Sequence, residues 1–306
     1  MKYKLISVIV VSILWAGCSV TTTKGKRLST QAVARGGREL RRGELELAHA
    51  QFSLALEYQR TNPRAWNGLG ILAMARQDHV KAEAYFRQAL LLDERFVEAY
   101  GNLGALALSR SDPSAAVKWL KRALVLHPGL GTARFNLGLA YLALARTRLA
   151  RQEFAKLFAQ SPREPRFRLH YAYVLALSGA PLKALSHVAA PGVEARFPAL
   201  SALVAGVSYN ALGQYKKGNE ALQRALRFTP GHREARLHIA LANAAQGNLE
   251  KALTQLRMMI GEAVSHNEMG GVKLAYARLL IAHGERKRGA KILQKLKRTH
   301  RGMLIP

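Results

Sequence analysis

Residues 63–96 read PRAWNGLGILAMARQDHVKAEAYFRQALLLDERF, and residues 97–130 read VEAYGNLGALALSRSDPSAAVKWLKRALVLHPGL. The two stretches align without a gap, with Trp66 over Tyr100 and Phe86 over Leu120, and the 34-residue period continues in both directions. A small residue recurs at Gly36, Gly70, Gly104, Gly138, Ala172, Gly206 and Ala240. A second column of small residues reads Ala48, Ala82, Ala116, Ala150, Ala184, Gly218 and Ala252, and a large apolar column reads Phe52, Phe86, Leu120, Phe154, Val188, Leu222 and Leu256. The chain is therefore built mainly from copies of one unit.

The spacing inside a unit predicts a pair of helices. Trp66, Leu69 and Gly70 fall on one face of a first helix, and Ala82 and Phe86, four residues apart, fall on one face of a second. Small residues on both faces let two antiparallel helices approach closely. One pair cannot bury its apolar face alone, so we expect the units to stack on each other.

The pattern W…LG…Y…A…F…A…P at this period resembles the tetratricopeptide repeat, abbreviated TPR. The resemblance covers residues 29–266 strongly and 267–301 weakly. It implies an all-α fold, a right-handed α-solenoid of about eight helical hairpins. It also implies a scaffold that binds protein or peptide partners and needs no cofactor.

The chain divides by its repeats. We expect units one to five over 29–198, units six and seven over 199–266, and an atypical capping helical pair with a basic tail over 267–306. The fifth unit is degenerate, because Pro191-Gly192 should stop its second helix about two turns early. This break is either a decayed repeat that still stacks or a hinge between two halves of the array.

The N-terminus has the layout of an export signal. Lys2 and Lys4 precede an uncharged apolar run that is too short for a comfortable membrane span and ends at Cys18, the only cysteine. Residues 1–18 resemble a bacterial lipoprotein signal, with Trp15 where the lipobox usually has leucine. The alternatives are a plain secretory signal or an uncleaved anchor. Residues 19–28 read as a short basic tether, and Ser19 implies an outer-membrane anchor facing the periplasm.

The sequence shows no catalytic or metal-binding constellation. HExxH, GxSxG and GxxxxGK motifs are absent, and the ten histidines are scattered. We therefore expect no enzyme activity, no metal site and no cofactor.

The candidate binding residues are those of the first helices, which in tetratricopeptide repeats line an inner, concave face. Mapped onto this chain, they form an apolar trough with a few polar groups, suited to a partner's helix or extended peptide. The alternative is that they contact the array's own termini or the neighbouring first helices. The predicted peptide-binding residues are Ile71, Met74, Asn102, Leu108, Phe135, Asn136, Leu139, Leu142, Leu169, His170, Tyr173, Leu203, Val207, Leu237 and Leu241.

The formal net charge of +28 is extreme for a helical scaffold. Much of it falls on second helices and on the last helix, where the predicted basic surface comprises Arg286, Lys287, Arg288, Lys291 and Lys295. Such a face is often only solvated, but it could also press against anionic phospholipid, lipopolysaccharide or another polyanion. Nucleic acid is disfavoured by the export signal and by the lack of interleaved aromatic residues.

These features predict a lipid-anchored scaffold of the bacterial cell envelope. Lipoproteins of this layout include the pilotins of type IV pili, the TPR lipoprotein of tight-adherence pili, and adaptors for peptidoglycan enzymes. The first hypothesis is an assembly factor for a pilus or secretin that holds a partner segment in its groove. The alternatives are a membrane-surface or polyanion docking protein and an adaptor for peptidoglycan enzymes.

Overall fold

The computed structural model describes residues 23–262 and 270–299, which form helices joined by short turns. The helices are α1 (23–42), α2 (Leu45–Tyr58), α3 (Pro63–Ala75), α4 (His79–Leu92), α5 (Val97–Ser109), α6 (Pro113–Leu126), α7 (Gly131–Ala143), α8 (Thr147–Gln160), α9 (Pro165–Leu177), α10 (Pro181–Val188), α11 (Val193–Arg196), α12 (Pro198–Ala211), α13 (Tyr215–Phe228), α14 (Arg233–Ala245), α15 (Leu249–Gly261), α16 (Gly270–Ala282) and α17 (Arg286–Thr299). The described part of the chain contains no strand. The expected all-α solenoid is confirmed.

Helix starts follow the sequence signals. Pro63 and Pro165 occupy the first turns of α3 and α9, where a missing N–H costs little. The side chain of Asp112 accepts a hydrogen bond from the backbone N–H of Ala115 at 2.9 Å, so Asp112 caps α6. Asn62 caps α3 in the same manner, accepting from the N–H of Arg64 at 3.0 Å.

The small-residue column packs against the large apolar column. A Cβ added to Gly138 would lie 2.6 Å from Cζ of Phe154, and one added to Gly206 would lie 2.6 Å from Cγ of Leu222. Both distances are far inside van der Waals contact. The helices of a repeat therefore approach as closely as they do because the first helix carries no side chain there.

The turn between the two helices of a repeat has one residue in the left-handed region. That residue recurs every 34 positions, at Gly43, Gln77, Ser111, Ala145, Gly179, Gly213 and Gly247. Four of these are glycine, which adopts this conformation without strain. Gln77, Ser111 and Ala145, with φ values of 61°, 55° and 55°, adopt it at a cost.

The described residues divide into two compact bodies after Leu106, and Val125–His127 return to the first body. The first body packs α1 to α4 around Phe52, Leu69 and Leu72, and Ala99 at the start of α5 packs with Ala89 and Phe96. The hydroxyl of Ser29 ties α1 to the repeats, because it donates to the carbonyl of Ala55 at 2.7 Å and accepts from the side chain of Asn62 at 2.7 Å.

The second body has one long core from α9 to α14. It includes Leu169, Leu203, Leu222 and Ile239, and Val193 of the short α11 packs into it with 3% exposure. As expected, the second helix of the fifth repeat is cut short, since α10 ends at Val188. The break at 191–198 lies within this continuous core.

The two ends of the array differ in how well the sequence predicted them. The last helical pair, expected within 267–306, is present as α16 and α17. The flexible tether expected over 19–28 is wrong for residues 23–28, which form the first turns of α1. Residues 1–22, including the lipobox and Cys18, lie outside the described residues. Among the described residues, no helix has the length and apolar character needed to cross a membrane.

Candidate functional site

In each body, the inner face is the surface formed by the first helices of its repeats, namely α3 and most of α5 in the first body and α7, α9, α12 and α14 in the second. In the first body it presents Ile71, Met74 and Asn102, which are all half-buried. The side chain of Asn102 donates a hydrogen bond to Oδ1 of Asn67 at 2.8 Å. This amide pair fixes the position of Asn102 between two first helices.

In the second body, α7 carries both core and accessible positions. Phe135 is 5% exposed and packs edge-to-face against Phe154, with 5.8 Å between the ring centroids. Its other neighbours are the His170 ring at 4.8 Å and the guanidinium of Arg166 at 4.3 Å. Phe135 is therefore a core residue of the array. The accessible predicted positions are Asn136, Leu139 and Leu142 on α7 and Leu108 near the end of α5, which are all half-buried.

Three predicted binding residues lie in the core of the second body. Leu169 is fully buried, Leu203 is 3% exposed and Val207 is 4% exposed. They pack together with Leu222 and Ile239, so their side chains already have apolar partners within the chain. Neighbouring first helices supply part of these contacts, as one of the alternatives left open by the sequence expected, and the second helix α13 supplies others through Leu222.

A long-range contact crosses the inner face. The hydroxyl of Tyr173 on α9 lies 3.2 Å from Nε2 of His238 on α14, two repeats further along. Burial lowers the pKa of His238 to about 4 and raises the pKa of Tyr173, so both groups are neutral at neutral pH. The first helices of alternate repeats therefore meet at this contact. The predicted residues Leu237 and Leu241, on α14 with His238, are half-buried.

His170 is another neutral histidine of this face. Burial lowers its pKa to about 4, and its Nδ1 lies 2.8 Å from the carbonyl oxygen of Arg166 within the same helix. Since the ring packs on Phe135 and Phe154, it serves as an aromatic core side chain.

The predicted basic surface lies together on α17. Arg286, Lys287, Arg288, Lys291 and Lys295 are all exposed. Arg288 forms an ion pair with Glu285 at 3.0 Å, and the helix itself contains no acidic residue. The outer side of α17 is thus a strip of positive charge.

One further depression, about 560 Å³ in volume, lies on α13 at the end of α14. Its lining is polar: Lys216, Asn219, Glu220, Gln223, Arg227 and Gln246. In the described ranges, no three His, Cys, Asp or Glu side chains are grouped so that they could hold a metal ion.

The sequence analysis missed an apolar patch outside the inner face. Leu144 and Ala145, in the turn after α7, pack with Val117 of α6 against side chains of the last helical pair. The available signal was that Val117 and Leu144 are apolar, whereas most of the equivalent positions in the other repeats hold polar or charged residues.

Comparison with known proteins identifies the repeat. Tetratricopeptide repeat profiles match residues 63–96, and also 81–130 and 203–265. The chain carries tetratricopeptide repeats. Their matched segments include α3 and α4 of the first body and α12 to α15 of the second. No curated protein sequence matches the chain.

Several solved TPR structures share the fold. PilF of Pseudomonas aeruginosa is 21% identical with a TM-score of 0.59, over 70% of this chain and 97% of PilF. PilW, a widely conserved type IV pilus biogenesis factor, is 21% identical with a TM-score of 0.56, over 68% of this chain and 96% of PilW. YrrB, a TPR protein with an unusual peptide-binding site, is 24% identical with a TM-score of 0.50, over 60% of this chain and 95% of YrrB. The tetratricopeptide repeats matched by the family profiles make the chain a scaffold of the protein-interaction type.

Proposed function

We propose that this protein is a lipid-anchored scaffold of the bacterial envelope that binds a helix or peptide of a partner on its inner face. The observation that carries the proposal is the accessible apolar strip of α7. Leu139 and Leu142 are half-buried and lie three residues apart on one face of α7, with Asn136 three residues before Leu139. Apolar anchors with a nearby amide suit a short helical or extended segment.

The partner we propose is a component of an assembling envelope machine, such as a pilus or secretin. The fold shared with PilF and with the pilus biogenesis factor PilW supports this direction. The peptide-binding site of YrrB supports a peptide as the ligand class. We place the protein at the outer membrane, facing the periplasm and anchored by acyl chains on Cys18, because multiple chains give stable anchoring where one does not.

A photo-crosslinking residue at Leu142 tests the binding surface. We expect a covalent adduct with one envelope protein in living cells, and we expect Leu139→Glu to abolish it. The matched control places the same crosslinker at Val80, which is 78% exposed on a second helix. Equal adducts from both positions, or an adduct that persists with Leu139→Glu, would refute the inner-face proposal. Phe135 is not a suitable test position, because a charge there would disrupt the core.

The anchor has a separate test. Cys18→Ser should move the protein from the membrane fraction to the soluble fraction, with fold and repeats unchanged. Continued sedimentation with outer membranes would show that acylation of Cys18 is not the anchor.

A second candidate function rests on the exposed basic strip of α17. In this alternative, the strip docks on an anionic surface, each cation near the surface contributing about 1 kcal/mol. Vesicles with and without anionic lipid distinguish the two functions. Replacing Arg286, Lys287 and Lys291 by glutamine should weaken sedimentation with anionic vesicles, and added salt should do the same. Binding to anionic vesicles that neither the glutamine substitutions nor added salt weakens would rule this function out.

A further inference from the structure

The last helical pair packs on two separate surfaces. The first is the expected one: Val272 and Tyr276 of α16 share a core with Leu253 and Leu256 of α15. Such contacts between neighbouring repeats are the usual basis of a repeat array. The second surface lies on α6 and the turn after α7, far back along the chain.

This second surface is a small apolar seat, made of Val117, Leu144 and Ala145. It is covered by Leu274 of α16 and by Ile292, Leu293 and Leu296 of α17. Leu144 and Leu296 are each only 2% exposed. The last helical pair therefore packs closely on the seat through apolar side chains.

The seat is not a general property of the repeat. The positions equivalent to Leu144 hold Arg76, Arg110, Ser178, Leu212 and Gln246, and none of these side chains is buried. The positions equivalent to Val117 hold Glu83, Arg151, Leu185, Asn219 and Leu253. Since the repeat does not bury this position by itself, the burial of Leu144 depends on the last helical pair.

The inner face between the seat and the last pair is closed. The Tyr173–His238 contact joins first helices of alternate repeats, and Leu203 and Val207 between them are buried. An array held only by neighbour contacts can change its curvature by small shifts at every joint. A contact between α17 and the seat removes that freedom from the repeats in between.

We propose that the last helical pair is a clasp. Seated on Val117, Leu144 and Ala145, it holds α9 to α14 at the curvature at which their first helices touch. A partner reaches this part of the inner face only when the clasp has left the seat. The control of partner access rests on the proposed function, whereas the contact between the last helical pair and the seat does not.

Leu144→Arg tests the clasp without damaging the repeat, because Arg76 and Arg110 occupy the same position in two sibling repeats. The new cation would face α17, whose exposed charges are all positive. The control is Leu212→Arg, the same change at the equivalent position of the sixth repeat, which lies outside the seat. Leu144→Met should keep the clasp closed.

The measurement is amide hydrogen exchange of the full chain. With Leu144→Arg we expect exchange in α17 and in α9 and α14 to rise at least tenfold, with α2 to α4 unchanged. With Leu212→Arg we expect wild-type exchange in α9, α14 and α17. Unchanged exchange in α9 and α14, or an equal rise in both variants, would overturn the clasp.

A crosslinking residue at Leu241 of α14, in the part of the inner face that the clasp closes, then tests partner entry. Leu144→Arg should raise the yield of the envelope-protein adduct from Leu241 at least threefold, and an unchanged yield beside raised exchange would overturn the gating role. If Leu142 of the wild-type chain gives no adduct, the proposed function fails. The exchange result, which needs no partner, still decides whether the clasp exists.

Discussion

Replacing Gly36 by alanine should destabilise the protein, whereas the same change at the adjacent Gly37 should stabilise it. A Cβ on Gly36 would lie 2.7 Å from Cε1 of Phe52, whose side chain is 2% exposed. The Phe52 ring cannot retreat, because it also presses on Gly68, where an added Cβ would collide with the same ring. A Cβ on Gly37 meets only the end of the Arg41 side chain, at 3.7 Å.

The expected difference in stability between the two variants comes from the cost of overpacking the core. Both changes remove a glycine from the same helix, which favours folding by about 0.5–1 kcal/mol in each case. This gain cancels when the two variants are compared. Overpacking a core costs about 1–3 kcal/mol, so Gly36→Ala should be less stable than Gly37→Ala by that amount.

Urea unfolding followed by far-UV circular dichroism measures this difference. Adding Phe52→Leu to Gly36→Ala should recover part of the loss, since the seventh repeat already carries this alanine–leucine combination at Ala240 and Leu256, which share a core. A difference below about 0.5 kcal/mol, within the scatter of surface substitutions, would refute the close-approach reasoning.

Two further outcomes follow from the turns and the buried histidines. Gln77→Gly should raise the free energy of unfolding by about 1 kcal/mol, because φ is 61° there, and Gly179→Ala should lower it similarly; urea midpoints measure both. Burial lowers the pKa of His238 and His170 to about 4, so below about pH 6.5 the unfolded chain binds more protons than the folded one. Stability should therefore be complete above pH 6.5 and fall by about 3 kcal/mol per histidine as the pH approaches 4, and His238→Gln should remove that residue's share. A pH profile that His238→Gln leaves unchanged would contradict this assignment.

The local features of the fold could be predicted from the sequence. Sequence spacing predicts the phase of the repeats, the early end of α10 before Pro191 and the presence of a last helical pair after residue 267. Proline and glycine act within one or two turns of helix, and the 34-residue period shows where these local signals recur.

The burial of the inner face could not be predicted in this way. Repeat phase assigned Leu169, Leu203 and Val207 to the first helices, but their accessibility depends on how closely neighbouring repeats pack, which brings Leu222 and Ile239 into the same core. This packing also joins Tyr173 and His238, which are 65 residues apart. The seat at Leu144 likewise depends on residues near the end of the chain. The expected tether failed for a different reason, since Ser29 and its buried hydrogen bonds hold α1 in the array from its first turns.

The early start of α1 limits the distance between the array and Cys18. Helix begins by residue 23, five residues after Cys18, and an extended chain of that length reaches only about 17 Å. If Cys18 carries the proposed acyl chains, the array cannot search the periplasm at large and is kept beside the bilayer. Lys24, Lys26 and Arg27, all exposed, would then lie at or near the headgroups. The protein would then be held in a restricted orientation, and a partner would bind it at a fixed distance from the membrane surface.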